Sequence, residues 1–325
     1  MPLRIRPDVP SDPSPLDAIG RQVVELRHEL AQMRAALEAA TSALRTMAER
    51  SQETLEAMEA RSTRSLSRMT SVLQLLYDRE PAYRERVRAL RATEAYERAY
   101  TDPEPLVSVV IPTYDNSELL LRRAVASALA QTYVHLEVVV VGDCAPPETG
   151  RLLSEVSDPR VRYHNLPIRG PYPDDPRDRW HVAGIPPRNE AVAQARGAWI
   201  APLDDDDAFA ADHVEALLDL ARGGRHEVAY GLMRCVMHDG STFNLGAFPP
   251  VLGQFGWQAA IFHQGLAMFE MELADALFFS PGDWSLCRRM LRAGVRFGML
   301  DRVVVDHYES RYSPDYREEE AGPQR

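Results

Sequence analysis

The stretch that decides the fold is Ala198-Trp199-Ile200-Ala201-Pro202-Leu203-Asp204-Asp205-Asp206-Asp207, a short apolar run that stops at four consecutive aspartates. A run of this length after Gly197 predicts a buried strand whose charged end reaches the edge of a sheet, where α/β proteins bind ligands. Adjacent carboxylates repel one another, and a hard divalent cation that takes oxygen ligands and bridges to phosphates offsets their charge best. The stretch therefore predicts a metal–diphosphate site.

The aspartate run also has a simpler interpretation. Aspartate is common in solvated loops and in the first turn of a helix, and Asp212–Leu218 has the apolar spacing of a helix. The run alone does not decide between solvation, capping and metal binding, so the neighbouring elements have to decide.

Two β-rich runs, Leu106–Ile111 and Leu136–Val141, flank a segment of helical spacing at Glu118–Gln131. Strand, helix and strand with buried strands predict parallel pairing through a right-handed crossover. All these strands then end at the same edge of one sheet. The polar residues that follow them, and that we expect in one nucleotide-binding crevice, are Tyr114, Asp115, Asp143 and Asp204.

The composition predicts a folded protein of up to two structural units, because 45% of the 325 residues are hydrophobic. The net charge of −11 argues against nucleic-acid binding, which requires a basic face. Three cysteines, at positions 144, 235 and 287, have no CxxC spacing and indicate a reducing, cytoplasmic compartment. We find neither a signal peptide nor an apolar run of membrane-spanning length, so we expect a soluble protein without a transmembrane segment.

A long helix with an apolar seam is predicted for residues 16–80. The seam residues alternate in spacings of four and three, which is the heptad pattern, at Ile19, Val23, Leu26, Leu30, Met33 and Leu37. Leu44, Leu55 and Leu66 are then spaced by eleven, which relaxes the left-handed supercoil. We expect a homo-oligomeric coiled coil of undetermined order. The alternative, one amphipathic helix packed on its own domain, needs a much shorter stripe.

Pro81 is expected to interrupt this helix, and Ala82–Tyr100 to form a second helix before the linker Asp102-Pro103-Glu104-Pro105. The predicted organisation has five parts. They are a disordered tail, a coiled coil, a helix with a linker, an α/β domain and a polar tail, at residues 1–15, 16–80, 81–104, 105–310 and 311–325.

The globular part resembles the family 2 glycosyltransferases of the GT-A (Rossmann-like) fold, over about residues 105–310. The motifs that carry the resemblance occur in the family's order, at Ser108–Tyr114, Ser127–Tyr133, Glu137–Asp143, Arg188-Asn189, Ala195–Gly197 and Leu203–Asp207. The last of them resembles the family's LDxDD segment. The resemblance implies a nucleotide-sugar donor, with a UDP-sugar as the expected form, and Mn²⁺ or Mg²⁺ as cofactor.

The resemblance also implies donor-site roles. Tyr114 corresponds to the tyrosine that stacks on the base, although it could instead be a turn aromatic that covers the sheet edge. Asp206 corresponds to the direct metal ligand and Asp207 to a cap of the next helix. Arg188 corresponds to an arginine that pairs with the diphosphate or holds an aspartate, and a purely structural role is the alternative. The predicted donor-binding residues are Pro112, Thr113, Tyr114, Asp115, Asp143, Arg188, Asp204 and Asp205, of which Asp143 contacts the base edge and Asp205 the ribose.

The sequence departs from the family's pattern in three places. Gly142 replaces the first of the usual two aspartates, and Cys144-Ala145-Pro146-Pro147 replaces a Gly-Ser-Thr turn. Further along, Ser280–Leu286 resembles the family's glutamate-aspartate-tryptophan segment with Gly282 in place of the glutamate. Asp283 is the corresponding catalytic base, and a helix N-cap is the compatible structural alternative.

The remaining candidates rest on weaker signals. His307 ends a β-rich run and is predicted as a metal or diphosphate contact, although an isolated histidine is more often structural. His263, Gln264 and Trp284 are predicted to line the acceptor pocket. The proline-rich insertion Ile168–Ile185 is predicted to be a flap near the donor.

The predicted function is metal-dependent, inverting transfer of a sugar from a nucleotide sugar to a saccharide, lipid-linked or protein acceptor. A coiled-coil scaffold that carries a degenerate GT-A domain is the alternative of a different class, which Gly142 and Gly282 favour. A nucleotidyltransferase is disfavoured, because Pro112–Ser117 is neither glycine-rich nor basic.

Overall fold

The computed structural model describes residues 15–278 and 281–309, which fall into two units that divide in sequence between Ser67 and Arg68. The predicted tails at residues 1–15 and 311–325 lie, apart from Pro15, outside the described residues. No helix within the described ranges combines the length and the apolar character needed to cross a bilayer.

Helix α1 runs from Pro15 to Arg91, so the predicted interruption at Pro81 was wrong. A proline inside a helix costs one backbone hydrogen bond and crowds the preceding turn. Downstream tertiary contacts outweigh that cost here. Val87 is buried in the core and Arg91 pairs with the buried Glu227.

Helix α2 spans Glu94–Thr101, so the single predicted helix over Ala82–Tyr100 is in fact broken after Arg91. Thr93 caps α2, because its hydroxyl accepts a hydrogen bond from the Tyr96 backbone N–H. The buried face of α2 consists of Tyr96, Ala99 and Tyr100.

The rest of the globular unit is a nine-stranded sheet with helices. The strands are β1 Val107–Thr113, β2 Leu136–Gly142, β3 Val161–Asn165, β4 Trp199–Pro202, β5 Ala208–Phe209, β6 Val228–Val236, β7 Thr242–Leu245, β8 Ala260–His263 and β9 Phe297–Tyr308. The remaining helices are α3 Ser117–Leu119, α4 Ala126–Leu129, α5 Pro147–Ser154, α6 Pro176–Val182, α7 Ile185–Gln194, α8 His213–Gly224 and α9 Gly282–Arg292, with a π-helical turn at Leu120–Val125 and 3₁₀ turns at Trp257–Ala259, Gln264–Met268 and Leu273–Phe278.

The strand order is β3-β2-β1-β4-β8-β6-β9-β5, with β7 paired to β6. β1 pairs in parallel with both β2 and β4, and Val107 is the register partner of Leu136 and of Trp199, which confirms the predicted parallel arrangement. β8 is antiparallel to β4 and to β6, and β9 is parallel to β6. The carboxyl ends of β1, β2, β4, β6 and β9 therefore all reach one edge, called here the C-terminal edge, and their starts form the N-terminal edge.

Both faces of the central strands are buried. Val109, Val138 and Ala201 belong to the core cluster on one face, whereas the neighbouring Val110 and Val139 belong to the cluster on the other face. Continuous apolar strands are expected of a parallel sheet that helices cover on both sides. The polar residues that follow these strands are consequently held on a rigid support.

Candidate active site

The predicted side chains converge at the C-terminal edge of the sheet. β1 ends at Thr113, β2 at Gly142 and β4 at Pro202, and the residues that follow each strand stand next to one another. Two backbone hydrogen bonds fix this alignment, from Asp143 N to Thr113 O at 2.8 Å and from Leu203 N to Val110 O at 3.0 Å. The four aspartates after β4 thus begin at a rigid strand end.

Asp206 is the aspartate of the run whose carboxylate has no direct partner among the described residues. Among the residues that the structure describes, none donates a hydrogen bond to this carboxylate or forms an ion pair with it. Burial, reinforced by the charges of Asp207, Asp205 and Asp204, raises the pKa of Asp206 to about 8. A cation that binds beside this half-buried group would stabilise its ionised form.

Asp205 is engaged by the turn after β1. Its carboxylate accepts hydrogen bonds from the Thr113 hydroxyl at 2.7 Å and from the Asn116 side-chain amide at 3.1 Å. Burial nevertheless raises the pKa of Asp205 to about 6. Asp205 therefore ties the β1 end to the β4 end, and the ribose contact predicted for it stays a prediction.

Arg188 bridges two aspartates. From α7 it donates to Asp204 Oδ1 at 2.5 Å and lies 3.4 Å from Asp283 Oδ1. Only 11% of the Arg188 side chain is exposed. Of the two predicted roles, the structure favours holding aspartates, since Arg188 brings the end of β4 and the start of α9 together.

Asp207 does not cap the following helix, and that prediction was wrong. The fully buried Asp207 carboxylate faces His307 Nδ1 at 2.9 Å and accepts a hydrogen bond from the Tyr308 backbone N–H. Helix α8 begins later, at His213, after Asp212. β9 delivers His307 to the same edge, which brings a histidine over a hundred positions away in sequence to the aspartate run.

The protonation of His307 follows from this pairing. Burial disfavours an imidazolium, but Asp207, with Asp204 and Asp206 behind it, outweighs burial and raises the pKa of His307 to about 9. Because Asp207 engages Nδ1, the Nε2 atom is the one left for a ligand.

The predicted base subsite is covered by the chain itself. The Arg169 guanidinium lies 3.7 Å from the centre of the Tyr114 ring. Asp143 is 3% exposed, and it accepts hydrogen bonds from the Tyr172 hydroxyl at 2.6 Å and from Gly170 N at 3.1 Å. Tyr114 and Asp143 do lie together, but the segment Arg169–Tyr172 occupies the ring face and the carboxylate that a base would use.

The glycine at position 142 is explained by its neighbours. A Cβ at this position would lie 2.4 Å from Asn165 Oδ1 and 2.8 Å from the Tyr163 hydroxyl. Asn165 in turn bonds both Ala145 N and Ala145 O, which shapes the turn after β2. Asn165 and Tyr163 therefore fill the space that an aspartate at position 142 would need.

Asp283 lies in the first turn of α9, which begins at Gly282, so it is not the N-cap residue. Burial raises the pKa of Asp283 even though Arg188 opposes the rise. Gly282 packs closely, because a Cβ there would meet the His181 carbonyl oxygen at 3.1 Å. Trp284 packs against the core cluster beneath α9, so its predicted acceptor role stays a prediction.

His263 and Gln264 do not lie at this edge, and the acceptor role predicted for them was wrong. β8 runs antiparallel to β4 and places His263 opposite Trp199, at the start of β4. The buried His263 ring packs against Tyr96 and Trp199. Gln264 N donates to Ala198 O, which is also at the N-terminal edge.

A cavity of about 80 Å³ lies beside Arg188, between α7 and α9. Its walls are mostly apolar and include Trp257, Phe269, Met271 and Met290. Ligand pockets are typically several times larger. The cavity is therefore too small and too apolar to hold a sugar nucleotide.

Several contacts at the edge carried no signal in the sequence. Arg123 donates to the Asp206 backbone carbonyl at 2.9 Å and stacks on the Tyr308 ring. Arg169 and Tyr172 come from the insertion predicted as a flap, part of which is helix α6. Their partners are distant in the chain, so no local motif marked them.

Comparison with known proteins identifies the family. The model of glycosyl transferase family 2 matches residues 108–172 and 182–278. These ranges contain the sheet strands from β2 to β8, all of β1 except Val107, and the aspartate run. The gap between them falls within the insertion that carries Tyr172 and α6.

Curated relatives match less than half of the chain. The succinoglycan biosynthesis protein ExoO of Rhizobium meliloti is 34% identical over 145 residues, which are 44% of this chain and 38% of that protein. The UDP-Glc:alpha-D-GlcNAc-diphosphoundecaprenol beta-1,3-glucosyltransferase WfgD of Escherichia coli is 31% identical over 127 residues, 39% of this chain and 45% of that protein. The chain thus spans less than half the length of these relatives.

The comparison with solved structures gives partial matches. S. aureus TarS 1-349 in complex with UDP-GlcNAc has a TM-score of 0.49 and 20% identity, over 65% of this chain and 61% of that chain. The family match, together with the sheet order and the strand-end aspartates, identifies a GT-A domain that follows a long N-terminal helix.

Proposed function

The chain belongs to glycosyl transferase family 2, and from this premise we propose that it moves a sugar from a UDP-sugar to an acceptor hydroxyl with inversion at the anomeric carbon. The observation that carries the proposal is the uncompensated Asp206 carboxylate at the C-terminal edge, beside Asp204 and His307. A relative whose printed name includes UDP-Glc supports the choice of nucleotide. Family membership also favours an enzyme over the scaffold alternative.

The residues present fit a divalent cation such as Mn²⁺ or Mg²⁺. Carboxylate oxygen is the donor that these ions prefer, and no described residue donates a hydrogen bond to the Asp206 carboxylate or forms an ion pair with it. No three His, Cys, Asp or Glu groups within residues 15–278 and 281–309 stand ready to hold a metal by themselves. That arrangement suits an ion that takes few protein ligands and completes its shell with substrate phosphates and water.

Asp206 and His307 would hold the cation once it displaces the protons that their raised pKa values imply, while Asp207 fixes the imidazole through Nδ1. When bound, the ion would supply Lewis-acid stabilisation of the departing diphosphate. Arg188 keeps Asp204 beside this position and also draws Asp283 toward it. The proposed donor site and the proposed base are therefore aligned by one guanidinium.

Asp283 is the proposed catalytic base. The acceptor oxygen would form a bond to the anomeric carbon as the bond from that carbon to the diphosphate oxygen breaks. The acceptor proton passes to Asp283, and the electron pair leaves with UDP. Burial, which raises the pKa of Asp283, makes the carboxylate a stronger proton acceptor than an exposed aspartate.

A transfer assay tests the proposal. The full chain is incubated with Mn²⁺, a set of UDP-sugars and mono- or oligosaccharide and lipid-linked acceptors, and UDP release is measured. We expect acceptor-dependent release that Asp206→Ala abolishes and Asp212→Asn leaves intact, because Asp212 forms an exposed pair with Arg302. Release at the same rate from the Asp206→Ala protein would overturn the proposed site.

A further inference from the structure

The long helix presents an apolar seam to solvent. Between Ile19 and Met58, nine seam side chains are each more than half exposed, namely Ile19, Leu26, Leu30, Met33, Leu37, Leu44, Met47, Leu55 and Met58. A continuous exposed apolar stripe of this length marks an interaction surface. We propose that a second copy of the chain covers this seam, with the two helices parallel and in register.

The seam has two parts with different periods. From Ile19 to Leu44 the apolar residues follow spacings of four and three, equivalent to 3.5 residues per turn. From Leu44 onward leucine and methionine both recur every eleven residues, the methionines at positions 47, 58 and 69. An eleven-residue repeat corresponds to about 3.67 residues per turn and favours the opposite supercoil hand.

The change of period favours a parallel partner of the same sequence. In register, the heptad part of one copy lies against the heptad part of the other, and the two eleven-residue parts also meet. An antiparallel partner would set a left-handed seam against a right-handed one, and the two stripes would diverge along the helices. A partner with an unrelated sequence would have to share the change of period at Leu44.

The charges beside the seam favour the same orientation. Glu29 precedes the seam residue Leu30, and Arg27 and Arg34 follow the seam residues Leu26 and Met33. In a parallel pair Glu29 faces the partner's Arg34, which is attractive. Within its own helix Arg34 lies 3.6 Å from Glu38 in a highly exposed pair, which is a weak competitor.

Parallel pairing has a consequence for function. Both chains leave a parallel coil at the same end. The two globular units are therefore tethered to one end of the coil. When one site extends a polymeric acceptor, the product meets the second, tethered site at a raised effective concentration. The parallel orientation is argued from residues of the long helix alone. An experiment that disproves it therefore does not test the proposed sugar transfer, and a failed transfer assay does not test the orientation.

Disulfide trapping in the full chain tests the orientation. The background carries Cys144→Ser, because Cys144 is exposed whereas Cys235 and Cys287 are buried. Single cysteines replace Met33 or Leu55 on the seam, and Glu38→Cys on the outer face is the matched control. Under mild oxidation we expect each seam variant to form a disulfide with its own copy, and a mixture of the two to give no mixed product.

Two results would overturn the proposal. A mixed Met33→Cys and Leu55→Cys product, without self-linked chains, would mean an antiparallel pair centred on Leu44. A parallel pair forbids that product, because 22 residues of helix separate the positions by about 33 Å, far beyond the reach of a disulfide. The second result is a monomer. If light scattering gives the mass of one chain and neither seam variant forms a cross-link, no second copy covers the seam.

Discussion

Buried carboxylates lie at both edges of the sheet, but the two edges compensate them differently. At the N-terminal edge, Glu227 accepts hydrogen bonds from Arg91 at 2.7 Å, from the Tyr96 hydroxyl at 2.7 Å and from the Arg296 backbone N–H at 2.6 Å. Burial would raise the pKa of Glu227, but these donors outweigh burial and hold it below its ordinary value. At the C-terminal edge the Asp206 carboxylate has no described donor, and its pKa rises to about 8.

Glu137 repeats the pattern of the N-terminal edge. Burial is again opposed, by the Arg196 backbone N–H, the Ser108 hydroxyl and Arg162, and the pKa of Glu137 is lowered. The chain therefore satisfies its buried acids where they support the fold. It leaves the half-buried Asp206 without a described hydrogen-bond donor where we propose that a cation and a diphosphate complete the site, which is the usual distinction between structural and functional charges.

The largest expected effect is on catalysis. Asp283→Asn removes the proposed base but leaves the Arg188–Asp204 pair in place. We expect the transfer rate to fall about 10³-fold, since general bases contribute roughly 10²–10⁴-fold, while UDP affinity changes less than about twofold. Stopped transfer assays and UDP titration measure the two quantities. An equal loss in both would mean that Asp283 serves donor binding instead.

The second prediction concerns stability and contrasts the edges directly. Glu227→Gln should lower the free energy of unfolding by about 3 kcal/mol. The reason is that the guanidinium groups of Arg91 and Arg296 lose the buried carboxylate with which they pair. Asp206→Asn should leave it unchanged or raise it, because folding raises the pKa of Asp206 to about 8 and therefore disfavours its ionised form. Urea unfolding followed by tryptophan fluorescence measures both, since all four tryptophans lie in the globular unit.

A smaller effect is expected from pH. The pKa values of Glu227 and Glu137 are lowered in the folded state, so their contribution to stability is complete above the unfolded pKa of about 4.5 and is lost as pH falls through the folded values. The free energy of unfolding should therefore drop more steeply below pH 4.5 in the wild type than in Glu227→Gln. If the free energy of unfolding fell equally steeply with pH in the two proteins, this assignment would be contradicted.

The smallest effect concerns the covered base subsite. If Arg169 competes with a nucleobase for the Tyr114 ring, Arg169→Ala should tighten UDP binding about two- to fivefold, as expected for an exposed cation–π contact of about 0.5–1 kcal/mol. Arg177→Ala, in the same insertion and exposed, is the control. Weaker binding by Arg169→Ala alone would instead make Arg169 part of the base site.

The strand ends could be predicted from the sequence because each apolar run stops at a polar residue, and parallel strands bring those ends together. This reasoning located Asp143, Asp204 and Asp206 correctly at one edge. The acceptor role expected of His263 did not rest on such a run, and β8, which is antiparallel to β4, places His263 at the other edge.

Two further features lay beyond local patterns. Helix α1 continues through Pro81 because tertiary contacts such as Arg91–Glu227 stabilise its last turns. The covering of Asp143 by Tyr172 depends on the path of an insertion over the sheet edge. Neither spacing nor composition contains such long-range contacts.

The central claim is that Asp206 is left unpaired in order to bind a cation together with a nucleoside diphosphate. Calorimetric titration of UDP into the full chain, with and without Mn²⁺, tests it most directly. We predict binding that requires Mn²⁺, that Asp206→Asn abolishes and that Asp212→Asn preserves. UDP binding of equal affinity with and without the metal, or unchanged in Asp206→Asn, would contradict the account.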